Sequence, residues 1–183
     1  NSIAVGTGAE VAAGASSSVA FGSGAKIAAN ATSSVALGSG AQATKSNSVS
    51  LGFTSNATGT SSTAIGSTAN ASGNLSTAIG GTSTAAGDRG VVIGYGAKGS
   101  TSLDLLAIGY NANATGNGAF AGGASSSANG NNALALGTSS NAIGPKTVAI
   151  GGDSKSTSDF ATAIGNSANA IALYSTAIRG NSS

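Results

Sequence analysis

The chain has 183 residues, of which 30 are glycine, 7% are charged and 4% are aromatic, and its formal net charge is +2. Its 40% hydrophobic content argues against disorder, which goes with low hydrophobicity and high charge. The chain has no cysteine, and its Lys and Arg residues are scattered. This composition excludes a disulfide framework, a thiolate metal site and a nucleic-acid-binding patch.

A tetrapeptide of the form Val/Thr-Ala-Ile/Leu-Gly recurs along the whole chain. Its final residue defines the repeat glycines Gly6, Gly22, Gly38, Gly52, Gly66, Gly80, Gly94, Gly109, Gly122, Gly137, Gly151 and Gly165. The spacing between copies is nearly constant, and a thirteenth copy ends in Arg179 instead of glycine. A fixed period of this kind is typical of a solenoid.

Each repeat is numbered here from its glycine, at position zero. Positions minus three and minus one are large and mostly aliphatic, as in Val35 and Leu37, whereas position minus two is usually alanine. Residues two apart share one face of a strand, so we expect the large side chains to fill the interior and the alanines to face outward. A second alternation at plus three and plus five, as in Ala41 and Ala43, predicts a second short strand.

The predicted fold is therefore all-β, a solenoid of about 13 coils, each with two short strands and two turns. Such a rod is so narrow that it is nearly all surface, and it needs a further interface to offset its ordering entropy. The smooth face of alanine and glycine offers a place for an identical chain to pack. We expect a homo-oligomer.

The segments Ser-Val-Ala-Leu-Gly at 34–38 and Ser-Thr-Ala-Ile-Gly at 62–66 resemble the head repeats of YadA-like trimeric autotransporter adhesins. The resemblance covers residues 2–180. It implies a left-handed parallel β-roll, assembled as a parallel homotrimer and displayed outside the outer membrane of a Gram-negative bacterium. It also implies attachment to host cells or to extracellular-matrix proteins such as collagen, fibronectin and laminin, and self-association.

Residues 1–183 are interpreted as a single head domain, cut from a larger surface protein whose signal, neck, stalk and membrane anchor lie outside this segment. Contact with a membrane is expected only through those other regions. Two features depart from the family pattern. Arg179 replaces a glycine, and the spacing of the glycines becomes uneven around Gly122, which places Phe120 where alanine is usual.

Position plus one holds Phe53, Tyr95 and Tyr110, the last two in adjacent coils, with Lys98 nearby. These residues are the candidate ligand-binding site, because exposed aromatic rings beside a cation suit a protein or glycan ligand. In the alternative interpretation the rings cover neighbouring coils or a subunit seam. Leu103 and Leu105, in an unusual leucine cluster, are expected to fill such a seam.

Three other functions compete with attachment. An enzyme is disfavoured because the chain has no His and only five Asp and Glu residues, none paired on adjacent coils, and no cofactor or metal is expected. An ice-binding solenoid needs an outward Thr-x-Thr row, which does not persist here. A structural spacer in a surface fibre is the third alternative.

Overall fold

The computed structural model describes residues 1–179, and every regular element in that range is a β-strand. The long strands are β1 (Ile3–Val5), β3 (Val19–Phe21), β5 (Val35–Leu37), β7 (Val49–Leu51), β9 (Thr63–Ile65), β11 (Thr77–Ile79), β13 (Val91–Ile93), β15 (Leu106–Ile108), β17 (Phe120–Gly122), β19 (Leu134–Leu136), β21 (Val148–Ile150), β23 (Thr162–Ile164) and β25 (Thr176–Ile178). The short strands are β2 (Glu10–Val11), β4 (Lys26–Ile27), β6 (Gln42–Ala43), β8 (Asn56–Ala57), β10 (Asn70–Ala71), β12 (Thr84–Ala85), β14 (Lys98–Gly99), β16 (Asn113–Ala114), β18 (Ser127–Ala128), β20 (Asn141–Ala142), β22 (Lys155–Ser156) and β24 (Asn169–Ala170).

The strands form two parallel sheets that run the length of the solenoid. The long strands make a 13-stranded sheet and the short strands a 12-stranded sheet, and each strand pairs with the equivalent strand of the next coil. The pairing is in register, for example Val35 with Val49 and Leu37 with Leu51. The predicted β-solenoid of about 13 coils is confirmed. At about 4.8 Å per coil, it is roughly 60 Å long.

Three positions in each coil have a positive φ, and four in the two longest coils, which allows two tight turns within one short coil. In the coil that begins at Gly52 they are Gly52 itself (φ 137°), Thr54 (φ 47°) and Ser61 (φ 54°). The first value is accessible in practice only to glycine. A Cβ on Gly52 would also lie 2.5 Å from the carbonyl oxygen of Gly66, so the repeat glycines stack in a column with no room for side chains.

The interior holds small residues, and our prediction of which strand face is buried was wrong. Ala36 and Ala64, at position minus two, are fully buried, whereas Val35 and Leu37 on either side point outward. The two sheets lie so close together that most coils accept only Ala, Ser or Gly between them. Positions plus three and plus five point inward as predicted, with Ala41 and Ala43 fully buried.

A few larger side chains enter the interior where a neighbour makes room. Ile27 is buried in one of the two longest coils. Leu105 is buried in the coil that follows Gly94, which is slightly longer than its neighbours, and Val92 is buried on the strand just before that coil. A Cβ on Gly99 would lie 2.4 Å from Leu105 Cδ1 and 2.9 Å from Val92 Cγ2. Leu105 is therefore a core residue, and the prediction that it fills a subunit seam was wrong. Leu103 is exposed.

The predicted register around Gly122 was also wrong. Gly122 pairs with Ile108 and Leu136, so it occupies position minus one, and Phe120 pairs with Leu106 and Leu134 at position minus three. The repeat glycine of this coil is Gly123, whose φ is 129°. With this assignment Gly123 lies midway in the sequence between Gly109 and Gly137. The other predicted repeat glycines occupy the expected position, each with a positive φ.

Several buried hydroxyl groups are satisfied within their own coil. Ser62 Oγ donates to the carbonyl oxygen of Gly59 at 2.7 Å, and Thr147 Oγ1 donates to that of Gly144 at 2.6 Å. Each buried hydroxyl group thus finds a backbone acceptor at a tight turn, where an unpaired hydroxyl would be costly. This pattern lets serine replace alanine in the core.

Candidate interaction surfaces

The outer face of the 13-stranded sheet consists of the side chains at positions minus three and minus one, and we call it the apolar face. Its 26 positions carry no charged residue: each is Val, Ile, Leu, Phe or Thr, except Gly122. Many of these side chains are substantially exposed, such as Phe21 at 50% and Ile108 at 39%. A continuous apolar surface of this length is unusual on a monomer and marks an interaction site.

Tyr95 and Tyr110 lie along one edge of the apolar face, two residues beyond Ile93 and Ile108. Their rings stack with centroids 5.9 Å apart and an interplanar angle of 9°, and both are more than half exposed. The structure therefore brings these two predicted site residues together. Each ring covers part of its neighbour, so the pair also contributes cross-strand packing.

Phe53 and Lys98 are not part of that stack. Phe53 is exposed at the equivalent position three coils earlier, and the coils between carry Ser67 and Gly81 there. Lys98 lies on the short strand β14, between Thr84 and Asn113. The cation–π contact found within residues 1–179 places Lys146 Nζ 5.3 Å from the ring centroid of Phe160 instead.

A second row of exposed side chains runs along the opposite edge of the apolar face, at position minus five. Phe160 and Tyr174 stack there with centroids 4.9 Å apart. Sequence reasoning missed this pair. The two aromatic residues are one repeat apart in the sequence, and this spacing is the signal that predicts their contact.

The same row holds the ion pair of Arg89 and Asp104. Arg89 Nε and Nη2 donate to the two carboxylate oxygens of Asp104 at 2.5 and 2.8 Å. These hydrogen bonds from Arg89 hold the pKa of the Asp104 carboxyl below its ordinary value, and the hydrogen bonds to Asp104 raise the pKa of Arg89. Both side chains are exposed, so the pair adds little to stability.

The outer face of the 12-stranded sheet is polar. Position plus four carries Lys, Gln, Asn, Thr, Ser or Glu throughout, and Lys26 lies 4.0 Å from Glu10 on the next strand. The side-chain oxygens of Asn56, Asn70 and Asn141 are buried without a hydrogen-bond partner. This face is polar throughout, in contrast to the apolar face.

Within residues 1–179, no three His, Cys, Asp or Glu side chains come close enough to hold a metal ion. In the same range no helix is long and apolar enough to cross a membrane. The fold and its surfaces define a parallel β-solenoid built from repeats, with long, repetitive faces.

The profile of the YadA head domain repeat matches residues 29–55, 57–74, 71–97, 106–126, 128–154, 142–168 and 156–178. These segments cover more than half of the sequence, and the chain belongs to the YadA head repeat family.

One solved structure similar to this chain is the crystal structure of the collagen-binding domain of the Yersinia adhesin YadA. The two are 23% identical, with a TM-score of 0.46, and the match covers 100% of this chain and 82% of that one. The search of curated proteins finds no significant match.

Proposed function

We propose that this chain is the attachment head of a bacterial surface adhesin and that it works as a parallel homotrimer. It is displayed outside the outer membrane of a Gram-negative bacterium and binds host cells or matrix proteins such as collagen, fibronectin or laminin, without catalysis. Membership in the YadA head repeat family supports the attachment role. The observation that carries the assembly is the uncharged apolar face along the whole solenoid.

The apolar face needs a partner because the interior of a single chain is thin. Its core is almost entirely Ala, Ser and Gly, which bury little apolar area per residue. The larger side chains, Ile, Leu, Val and Phe, are left on the outside, where many remain partly exposed and covering the exposed part gains each roughly 1 kcal/mol. A copy of the same chain presents side chains with the same spacing of about 4.8 Å, so the two faces match coil by coil.

Packing the apolar faces together leaves the two edges and the polar sheet available for a ligand. The exposed Tyr95 and Tyr110 stack is the proposed contact surface, with Lys98 three residues further along the chain and Phe53 as a separate aromatic contact. Stacked rings give rigid area at a small cost in side-chain entropy. In a trimer each contact occurs three times, so weak binding at one edge becomes strong through multivalency.

The experiment is saturation binding of purified protein to immobilised collagen, fibronectin and laminin, and to host cells. We expect saturable binding to at least one of them. The Y95A/Y110A variant should weaken it at least about tenfold with little change in assembly. The matched control is F160A/Y174A, which also removes one stacked aromatic pair, but from the opposite edge.

The outcomes separate three conclusions. Lost binding in Y95A/Y110A, with an intact trimer and binding retained in F160A/Y174A, supports the proposed contact surface. A lowered melting temperature with unchanged binding contradicts it and makes the tyrosines packing residues. A stable trimer that binds none of the matrix proteins and no host cells contradicts the attachment role and favours a structural spacer.

A further inference from the structure

The apolar face repeats with the coil, so most of it does not define how far one chain is shifted along another. The strands β9 and β11 are both Thr-Ala-Ile, for example, and a shift by one coil exchanges identical side chains. Such a shift moves a chain by about 4.8 Å and keeps most apolar contacts. A homotrimer of this solenoid therefore needs a feature that distinguishes one axial register from the next.

The strand β17 breaks the pattern of the apolar face. Its outward residues are Phe120 and Gly122, whereas β19 carries Leu134 and Leu136 at the same positions. The ring of Phe120 lies along its own strand, over Gly122. A Cβ on Gly122 would lie 3.1 and 3.3 Å from Cε2 and Cζ of that ring, and 2.6 Å from Leu136 Cδ2.

The change is confined to the side chains, because the backbone of this coil is regular. Gly123 N donates to the carbonyl oxygen of Ile108 at 2.8 Å, and Gly137 N donates to that of Gly122 at 2.8 Å. These are the hydrogen bonds that the other coils make at the same positions. One flat ring thus replaces the two branched aliphatic side chains of the neighbouring strands, and the surface differs only in shape.

A second irregularity lies at Phe21 on β3, seven long strands away from β17 in the sheet. It is an aromatic residue at position minus one, and half of its surface is exposed. The two irregular strands are roughly 34 Å apart along the solenoid. A shift of one chain by one coil therefore misplaces both at once.

We propose that Phe120 and Gly122, with Phe21 as a second mark, set the axial register in which copies of this chain pack. This inference rests on the proposed homotrimer. In register, each β17 strand meets the same coil of its partners. After a shift it meets a surface of paired aliphatic side chains, which leaves a void or an overlap at both interfaces that the shifted chain makes, and the threefold symmetry is lost. Specificity then comes from penalising the shifted arrangement.

The test moves the irregular Phe and Gly pair from β17 to β19, a shift of one coil. In the variant F120L/G122L/L134F/L136G, β17 takes the Leu-Ala-Leu sequence of β19 and β19 takes Phe-Ala-Gly. In homotrimers of this variant, the Phe-Ala-Gly strand of each chain still lies opposite the same strand of the other two chains. The wild-type chain and this variant, distinguished by a mass tag, are unfolded together in equal amounts and refolded, and the trimers are counted by native mass spectrometry.

Random assortment makes about three quarters of the trimers mixed. We expect the ratio of mixed trimers to homotrimers to fall at least about tenfold below that for random assortment. The matched control is T63V/T77V, which changes two outward residues of the same face and leaves Phe120 and Gly122 in place. It should mix with the wild-type chain at random.

A second variant, F120L/G122L, removes the Phe and Gly pair without placing it elsewhere. Its β17 then has the Leu-Ala-Leu sequence that β19 already carries in the next coil. It should also be depleted from trimers with the wild-type chain. Random mixing of wild type with either variant would overturn the proposed register role while leaving the homotrimer intact. A wild-type chain that stays monomeric would overturn the homotrimer itself, and this inference with it.

Discussion

Gly151 and Gly152 are adjacent, yet the structure predicts opposite consequences when each is replaced by alanine. Gly151 has a φ of 122°, and a Cβ there would lie 2.6 Å from the carbonyl carbon and oxygen of Gly165 in the next coil. Gly152 has no such φ, and the nearest atom to its Cβ would be Asn166 Oδ1 at 3.5 Å, an ordinary contact. G152A should therefore be neutral or slightly stabilising.

The cost of G151A comes from two sources that add. A side chain at this φ costs on the order of 1–3 kcal/mol, and relieving an overlap with a rigid backbone costs roughly another 1–3 kcal/mol. The sum, about 2–6 kcal/mol, is large beside a typical stability of 5–15 kcal/mol. At about 2–4 °C per kcal/mol for a chain of this size, G151A should lower the melting temperature by about 4–24 °C.

Thermal melts of both variants followed by far-UV circular dichroism, at matched concentration, provide the assay. Matched concentration is needed because assembly makes the melting temperature depend on it. If G151A and G152A melt within about 2 °C of each other, the stacked glycine column is refuted as the source of the repeat.

Individual side chains give three further predictions. I79K places a charge in the middle of the apolar face and should convert the trimer to monomers in light scattering; an unchanged mass would show that this face is not the interface. L105A removes a buried side chain and should cost about 2–4 kcal/mol in denaturant unfolding, whereas L103A, at an exposed site, should cost under about 1 kcal/mol; equal costs would contradict the burial of Leu105. Arg89 lowers the pKa of Asp104 in the folded protein. The small contribution of this ion pair to folding stability is therefore present above the ordinary carboxyl pKa, and it is lost as the pH falls through the lower folded pKa. In an NMR titration R89Q should raise the pKa of Asp104, and no change would show that the pair does not form in solution.

The sequence predicted the coil but not which side of the long strand is inside. Alternation with a period of two separates two faces, and polarity ordinarily identifies the buried one. Here neither face of Val35-Ala36-Leu37 is polar, so the usual rule that large apolar residues are buried gave the reverse assignment. Alanine is selected for the interior by the narrow gap between the two sheets, and the alternation of residues in the sequence does not reveal that gap.

Register and aromatic contacts were predictable where the spacing was applied consistently. Tyr95 and Tyr110 stack because they hold the same position in adjacent coils, and the same reasoning at position minus five leads to Phe160 and Tyr174. Gly122 was wrongly assigned as the repeat glycine because it is the first of two adjacent glycines and fits the tetrapeptide pattern. Choosing Gly123 restores even spacing and would have placed Phe120 on the apolar face.

The mass of the protein in solution tests the central claim most directly, because the apolar face and the attachment role both depend on assembly. The chain has a mass of 16.8 kDa, and light scattering should give three times that value for a stable trimer. A stable, folded species of one chain mass, with its apolar face exposed to water, would contradict the account.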